Sequence, residues 1–115
     1  GSLWGDSSLE LAMTTIIVLF NLQNDEQRAD YEHWARTTDL PTVRKLPSVD
    51  GCTGLKAVSM LGNDDAPPFQ YIEVINVNDM TKFGQDVSTE AMQAVAAAFR
   101  GFADNPKFIV CESLD

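Results

Sequence analysis

Cysteine is scarce in this chain: Cys52 and Cys111 are the only two among 115 residues. Two thiols are too few for a disulfide framework, and they lack metal-site spacing, so both are expected reduced. Histidine is scarcer still. His33 stands alone and leaves no second imidazole for a His-rich zinc site. Basic side chains are outnumbered, 8 Lys and Arg against 17 Asp and Glu, for a formal net charge of −9. With no basic stripe to neutralise phosphates, binding to nucleic acid is excluded, and so is docking on an anionic membrane. Long apolar runs are missing too. A transmembrane helix needs about 20 apolar residues, and runs such as Ile16 to Phe20 and Ala94 to Phe99 fall far short of that. No Gly-rich phosphate loop, nucleophile elbow or zinc motif occurs, so the residues themselves call for no metal and no cofactor.

What is present is the balance of an ordinary globular domain, 44% hydrophobic and 22% charged. The length suits one domain with a real core and no staples. Residues 13–115 are expected to form it. Gly1-Ser2 begins like a cloning remnant, and Met13 directly precedes a strong strand, so residues 1–12 read as a tag-like extension. Its Leu3, Trp4, Leu9 and Leu11 would dock on a groove and add little to the fold. No positively charged leader region opens the chain, and a cytoplasmic location is expected.

Thr14 to Asn21 (TTIIVLFN) is β-branched and apolar on both faces, a strand buried on both sides. Asn24 and Asp25 cap a helix over about residues 25–37 whose inward face carries Tyr31, Trp34, Ala35 and Thr38. Pro41 is hostile to helix continuation, so Asp39-Leu40-Pro41 reads as a new cap for a short turn through Leu46. Gly54 to Leu61 reads as the second strand and Gly62 to Pro68 as a loop. Phe69 to Val77 is the third strand, with Phe69, Tyr71, Glu73, Ile75 and Val77 pointing one way. Asp79 caps a short helix through Phe83. Ser88 or Thr89 caps a longer one, Glu90 to Phe102, with a Met92, Val95, Phe99, Phe102 stripe. Asn105-Pro106 ends it, and Lys107 to Glu112 is the last strand.

The order β-α-β-β-α-β is the split βαβ of a ferredoxin-like α+β sandwich. Two helices cover only one face of a four-stranded sheet, yet these strands are apolar on both. The uncovered face is expected to bury itself against a second copy, forming a homodimer.

Particular residues sharpen that expectation. Tyr31-Glu32-His33-Trp34, then Thr38-Asp39-Leu40-Pro41, then Leu46-Pro47-Ser48-Val49 resembles the signature of EthD-type members of the dimeric α+β barrel superfamily. Within it, the chain is similar to the REDY-like subgroup of prodigiosin-type pigment clusters, through Thr15 to Phe20, Thr38 to Pro41, Gln70 to Glu73 and Ala91 to Ala96. The resemblance spans Met13 to about Glu112. Asp39 stands where EthD-type members carry histidine, and Ser48 where glycine is usual. It implies two ferredoxin-like chains packed sheet against sheet. It also implies work in secondary metabolism, on a prodigiosin-like pigment for example. The superfamily holds cofactor-free oxygenases, isomerases, cyclases, haem enzymes and proteins with no shown activity, so membership does not choose a chemistry.

The candidate site is drawn around Asp39. It is either a cap for the Leu40–Leu46 turn or, facing a dry cavity, an acid or base tuned toward neutral pH. Tyr31 and Trp34 either wall a cavity for a flat aromatic ligand or simply fill the core. Tyr71 and Glu73 share a strand face; Glu73 either pairs with Lys56 or anchors a ligand. Arg44 meets solvent, Asp39 or a ligand anion. His33 falls on an exposed face, which argues against haem. Asn63-Asp64-Asp65 lacks calcium-loop spacing and reads as a solvated turn. The functional expectation is a small homodimeric protein holding a hydrophobic aromatic or heteroaromatic molecule. The alternatives are a cofactor-free oxygenase, isomerase or cyclase using Asp39 with Tyr31 or Tyr71, and a structural partner of pathway enzymes.

Overall fold

The computed structural model describes residues 13–115. The expectation for residues 1–12 lies outside the described residues. Strand β1 runs Thr14–Leu22, β2 Val49–Lys56, β3 Tyr71–Val77 and β4 Ala103–Glu112. They form one sheet in the order β2-β3-β1-β4, every neighbouring pair antiparallel. The β-branched run of β1 occupies a central position, paired on both edges, as its two-sided apolar pattern requires.

Helices cover one face. Asn24 opens the first helical run with a reciprocal capping box: its side chain accepts from Glu26 N–H, while Gln27 reaches back to the Asn24 N–H. A 3₁₀ turn, Asp25–Gln27, leads into α1, Arg28–Trp34. The run then continues without a break through Ala35–Asp39 into α2, Leu40–Arg44. On the return crossover, Asp79 caps α3 (Met80–Asp86) by accepting from Lys82 N–H at 3.0 Å. Thr89 caps α4 (Glu90–Phe102) by accepting from Met92 N–H at 3.3 Å. No helix among the described residues is long and apolar enough to cross a membrane.

The core lies between helices and sheet. Ile16, Val18, Phe20 and Leu22 of β1 and Tyr71, Ile75 and Val77 of β3 are buried there. They meet Tyr31, Leu40, Val43, Met92 and Val95. Phe20, fully buried, lies 4.9 Å from Phe99 and 5.3 Å from Tyr31 in edge-on contacts and stacks on Tyr71 at 5.7 Å. The other face of the sheet carries Ile17, Leu19, Ile72 and Val74 side by side, with Leu55 and Ile109 flanking them. No helix among the described residues covers it.

Three expectations are corrected. The second strand lies about five residues earlier than Gly54–Leu61, and the segment 57–70 is a connection with Val58 81% and Leu61 fully exposed. The last strand begins at Ala103, ahead of Asn105-Pro106, rather than at Lys107. Most important, the first helix does not end near Thr37. Pro41 has no N–H, and in a regular helix its ring would meet the carbonyl four residues back. The chain resolves this with a wider π turn over Ala35–Asp39, in which Leu40 N–H donates to Ala35 C=O, and the helix resumes with Pro41 in its first turn.

Candidate functional site

The π turn decides which side chain faces inward. Tyr31 and Ala35 are buried at the helical step of four. A regular helix would bring Thr38 in next. The extra residue of the wide turn leaves Thr38 exposed and puts Asp39 on the buried face instead, 4% exposed. Asp39 has αR backbone and its side chain caps nothing, so the cap reading is corrected. Leu40, directly after it, packs over Gly54 of β2; a Cβ at Gly54 would stand 3.2 Å from a Leu40 methyl.

Glu73 reaches the same place from β3. The register puts Gly54 opposite Glu73 and Cys52 opposite Ile75. That leaves space above the sheet which the Glu73 carboxyl fills, 6% exposed. Asp39 and Glu73 come within hydrogen-bonding reach of each other. The Cys52 thiol donates weakly to Glu73 Oε1 at 3.8 Å. Asp39 Oδ2 is buried with no donor, and the Glu73 carboxyl can donate to Asp39 only when it carries a proton. Burial pushes the Glu73 pKa well up, and the neighbouring Asp39 carboxyl pushes it further. Burial raises Asp39 too, against the opposing effect of its hydrogen bond with Glu73. The two acids therefore titrate as a unit that holds on to protons.

The pair forms the acidic part of a largely apolar cavity of about 540 Å³ between the sheet and α2, α3 and α4, which Arg100 of α4 also borders. Its walls include Val18, Ile75, Val43, Val87, Val95 and Ala96, and Phe108 of β4 forms part of its rim, 61% exposed. The volume is that of a small-molecule site. The α4 wall was legible only as a core stripe; nothing in that spacing marks where a core leaves room.

Other candidate residues are placed differently. Tyr31, Trp34 and Tyr71 do not line this cavity. Tyr31 and Tyr71 join the Phe20 aromatic cluster, 4.7 Å apart, and border a shallower pocket beside Glu32 and Lys56. Trp34 packs on Phe102 at 5.4 Å. The Tyr71 hydroxyl donates to Glu32 Oε2 at 2.7 Å; burial and that carboxylate push its pKa up to about 12. The expected pairing of Glu73 with Lys56 is corrected: Lys56 lies opposite Tyr71 and pairs with Glu32 at 3.4 Å. Arg44 donates from Nε to the Cys52 carbonyl at 2.9 Å. His33 is exposed, and Asn63 Oδ1 accepts from Asp65 N–H in a solvated turn.

Comparison with known proteins agrees with this architecture. The family model described as REDY-like protein HapK matches residues 14–114. Among solved structures, HapK from Hahella chejuensis is similar at 28% identity, with 88% of this chain and 92% of that one covered and a TM-score of 0.74. An EthD family protein from Bacillus halodurans matches at 20% identity, covering 89% and 99%, with a TM-score of 0.68. SnoaB, a cofactor-independent oxygenase from Streptomyces nogalater solved as a mutant, matches at 15% identity, covering 90% and 95%, with a TM-score of 0.70. These last two likenesses speak for the fold alone. No curated protein matches the chain. The ferredoxin-like α+β sheet and a family match across almost all the described residues show that this chain belongs to the HapK family of REDY-like proteins.

Proposed function

We propose that this protein binds a small hydrophobic, aromatic or heteroaromatic molecule in the cavity above β1 and β3, as a step in secondary metabolism. The observation that carries the reading is the cavity itself: about 540 Å³, largely apolar, with the buried Asp39–Glu73 pair on one wall and the exposed Arg100 on another. An apolar pocket with a few convergent polar groups is how small-molecule sites gain both affinity and orientation. The resemblance to pigment-cluster proteins supports a prodigiosin-like setting. The apolar open face supports a homodimer, as does the likeness to a dimeric ferredoxin-like protein from Bacteroides fragilis. Two free thiols, Cys52 and Cys111, fit a reducing compartment, and we place the work in the cytoplasm.

A second reading is favoured by one observation: the Asp39 carboxyl lines the cavity, and its Oδ2 is buried and lacks a donor. A group so placed is suited to take a proton from a bound molecule, as a cofactor-free isomerase, cyclase or oxygenase requires.

The test is fluorescence titration with aminoanthracene, a neutral flat probe, on the wild type and on Ala96→Trp, which fills the cavity. Saturable binding of one probe per chain, lost in Ala96→Trp, supports the reading. Equal binding by both proteins overturns it. Oxygen uptake or product formation from a bound aromatic would move the conclusion from carrier to enzyme.

A further inference from the structure

The chemistry of the Asp39–Glu73 pair narrows what the cavity accepts. Every polar atom the pair offers is an acceptor or a shared proton. No cationic side chain reaches either carboxyl: among the described residues neither takes part in an ion pair. The groups facing them are few. Tyr31 comes from α1 and Cys52 from β2, and burial keeps both phenol and thiol protonated. Arg44 of α2 is turned to the Cys52 carbonyl. Arg100 of α4 lies on the cavity's outer wall and is exposed. Neither β1, α3 nor β4 adds a titratable group to the cavity wall.

Each kind of ligand meets this arrangement differently. A hydrocarbon gives the two carboxyls no partner, at the cost of an unsatisfied buried acceptor. An anion sets acceptor against acceptor, and a carbonyl is met only by drawing the shared proton away from the pair. A neutral N–H satisfies one lone pair. A protonated nitrogen base satisfies the lone pair and also neutralises the charge that the pair otherwise suppresses by holding protons.

We propose that the cavity selects a flat nitrogen base that binds as its protonated cation, its N–H groups donating to Asp39 and Glu73 and its apolar rings lying against Val95, Ala96 and Ile75. This rests on the small-molecule reading above and names its ligand class. On binding, a carboxyl O–H of the pair breaks, its proton leaves to solvent, and the ligand N–H takes its place. The cation thus competes with a proton, and its affinity rises with pH while the base stays protonated.

Proflavine, a flat heteroaromatic cation at neutral pH, is the probe. An anilinonaphthalene sulfonate is its anionic counterpart. Both are titrated by fluorescence into the full chain, into Asp39→Asn/Glu73→Gln and into Ala96→Trp, with melting curves as the folding control. The wild type should bind proflavine at least about tenfold more tightly than the double variant, the scale of one buried charged hydrogen bond. Its affinity should rise between about pH 6 and about pH 8, and Ala96→Trp should abolish the binding. The double variant should bind the sulfonate as well as the wild type does, or better. Should Asp39→Asn/Glu73→Gln misfold, Asp39→Asn alone should show the same loss. Proflavine bound equally by wild type and carboxamide variants overturns the cation assignment while the cavity reading stands. Proflavine bound equally by Ala96→Trp lies on the acidic surface, which also overturns the assignment. If neither these dyes nor aminoanthracene binds saturably, both readings fall.

Discussion

The carboxyl of Asp39, at the end of a π turn, meets the carboxyl of Glu73, in the middle of β3, under cover of the helices and with no cation between them. Burial makes the two acids hold a proton between them, and folding must therefore respond to pH. Their folded pKa values stand above the unfolded ones, first through burial. Stability linked to them is full below the unfolded values, near pH 4, and is lost as pH rises through the folded values. Urea denaturation of the wild type and of Asp39→Asn/Glu73→Gln should show the variant gaining on the wild type as pH rises from about 5 to about 9. The gain should reach at least about 1.4 kcal/mol, the equivalent of one pK unit. Parallel profiles would mean the pair is not buried as described.

Gly54 leaves room for Leu40, whose methyl would stand 3.2 Å from a Cβ there. Gly54→Val should push Leu40, and with it the neighbouring Asp39, away from the sheet. Overpacking of this kind costs about 1–3 kcal/mol. Denaturant midpoints should fall accordingly, and probe binding should weaken further than the lost stability explains. An unchanged midpoint would show that Leu40 has space to move.

The uncovered sheet face, centred on Ile17 opposite Val74, should hold two chains together. Light scattering at low micromolar concentration should return twice the chain mass of 12.6 kDa. An obligate interface of this kind commonly buries about 2,000 Å² or more, so one central charge, Val74→Lys, should give monomers. A wild-type monomer at that concentration removes the barrel arrangement for this chain.

Phe20 belongs to the aromatic cluster and does not line the large cavity. Phe20→Ala should cost about 3–5 kcal/mol, as for a buried aromatic truncated in a packed core. At temperatures where the variant stays folded, its proflavine affinity should stay within about threefold of wild type, less than one 1.4 kcal/mol step. A large loss of binding in folded protein would tie the cluster to the site.

Much of the fold was legible. The β-branched run of β1, the alternation along β3 and the caps Asp79 and Thr89 all state their structure locally. The second strand was misplaced for a physical reason. Gly51, Cys52 and Gly54 have weak strand character, while Val58, Met60 and Leu61 look apolar enough to pair but are exposed. The site was half legible. Glu73 in the company of Tyr71 and Ile75 signalled a buried carboxyl needing a partner. That the partner is Asp39, rather than Lys56, depends on strand register and on one extra residue in a helical turn. Residue spacing alone carries neither.

The π turn has a further consequence, for the way the molecule breathes. A wide turn trades the regular i→i+4 bonding of a helix for a poorer set, and it lies next to a proline that donates nothing. Local opening of a helix starts where backbone bonds are weakest. The acid that meets Glu73 is therefore seated on the turn of its helical run that yields first. Within the helical run of residues 28–44, amide hydrogen exchange should be fastest across residues 36–40 in the free protein, and it should slow there most when the cavity fills.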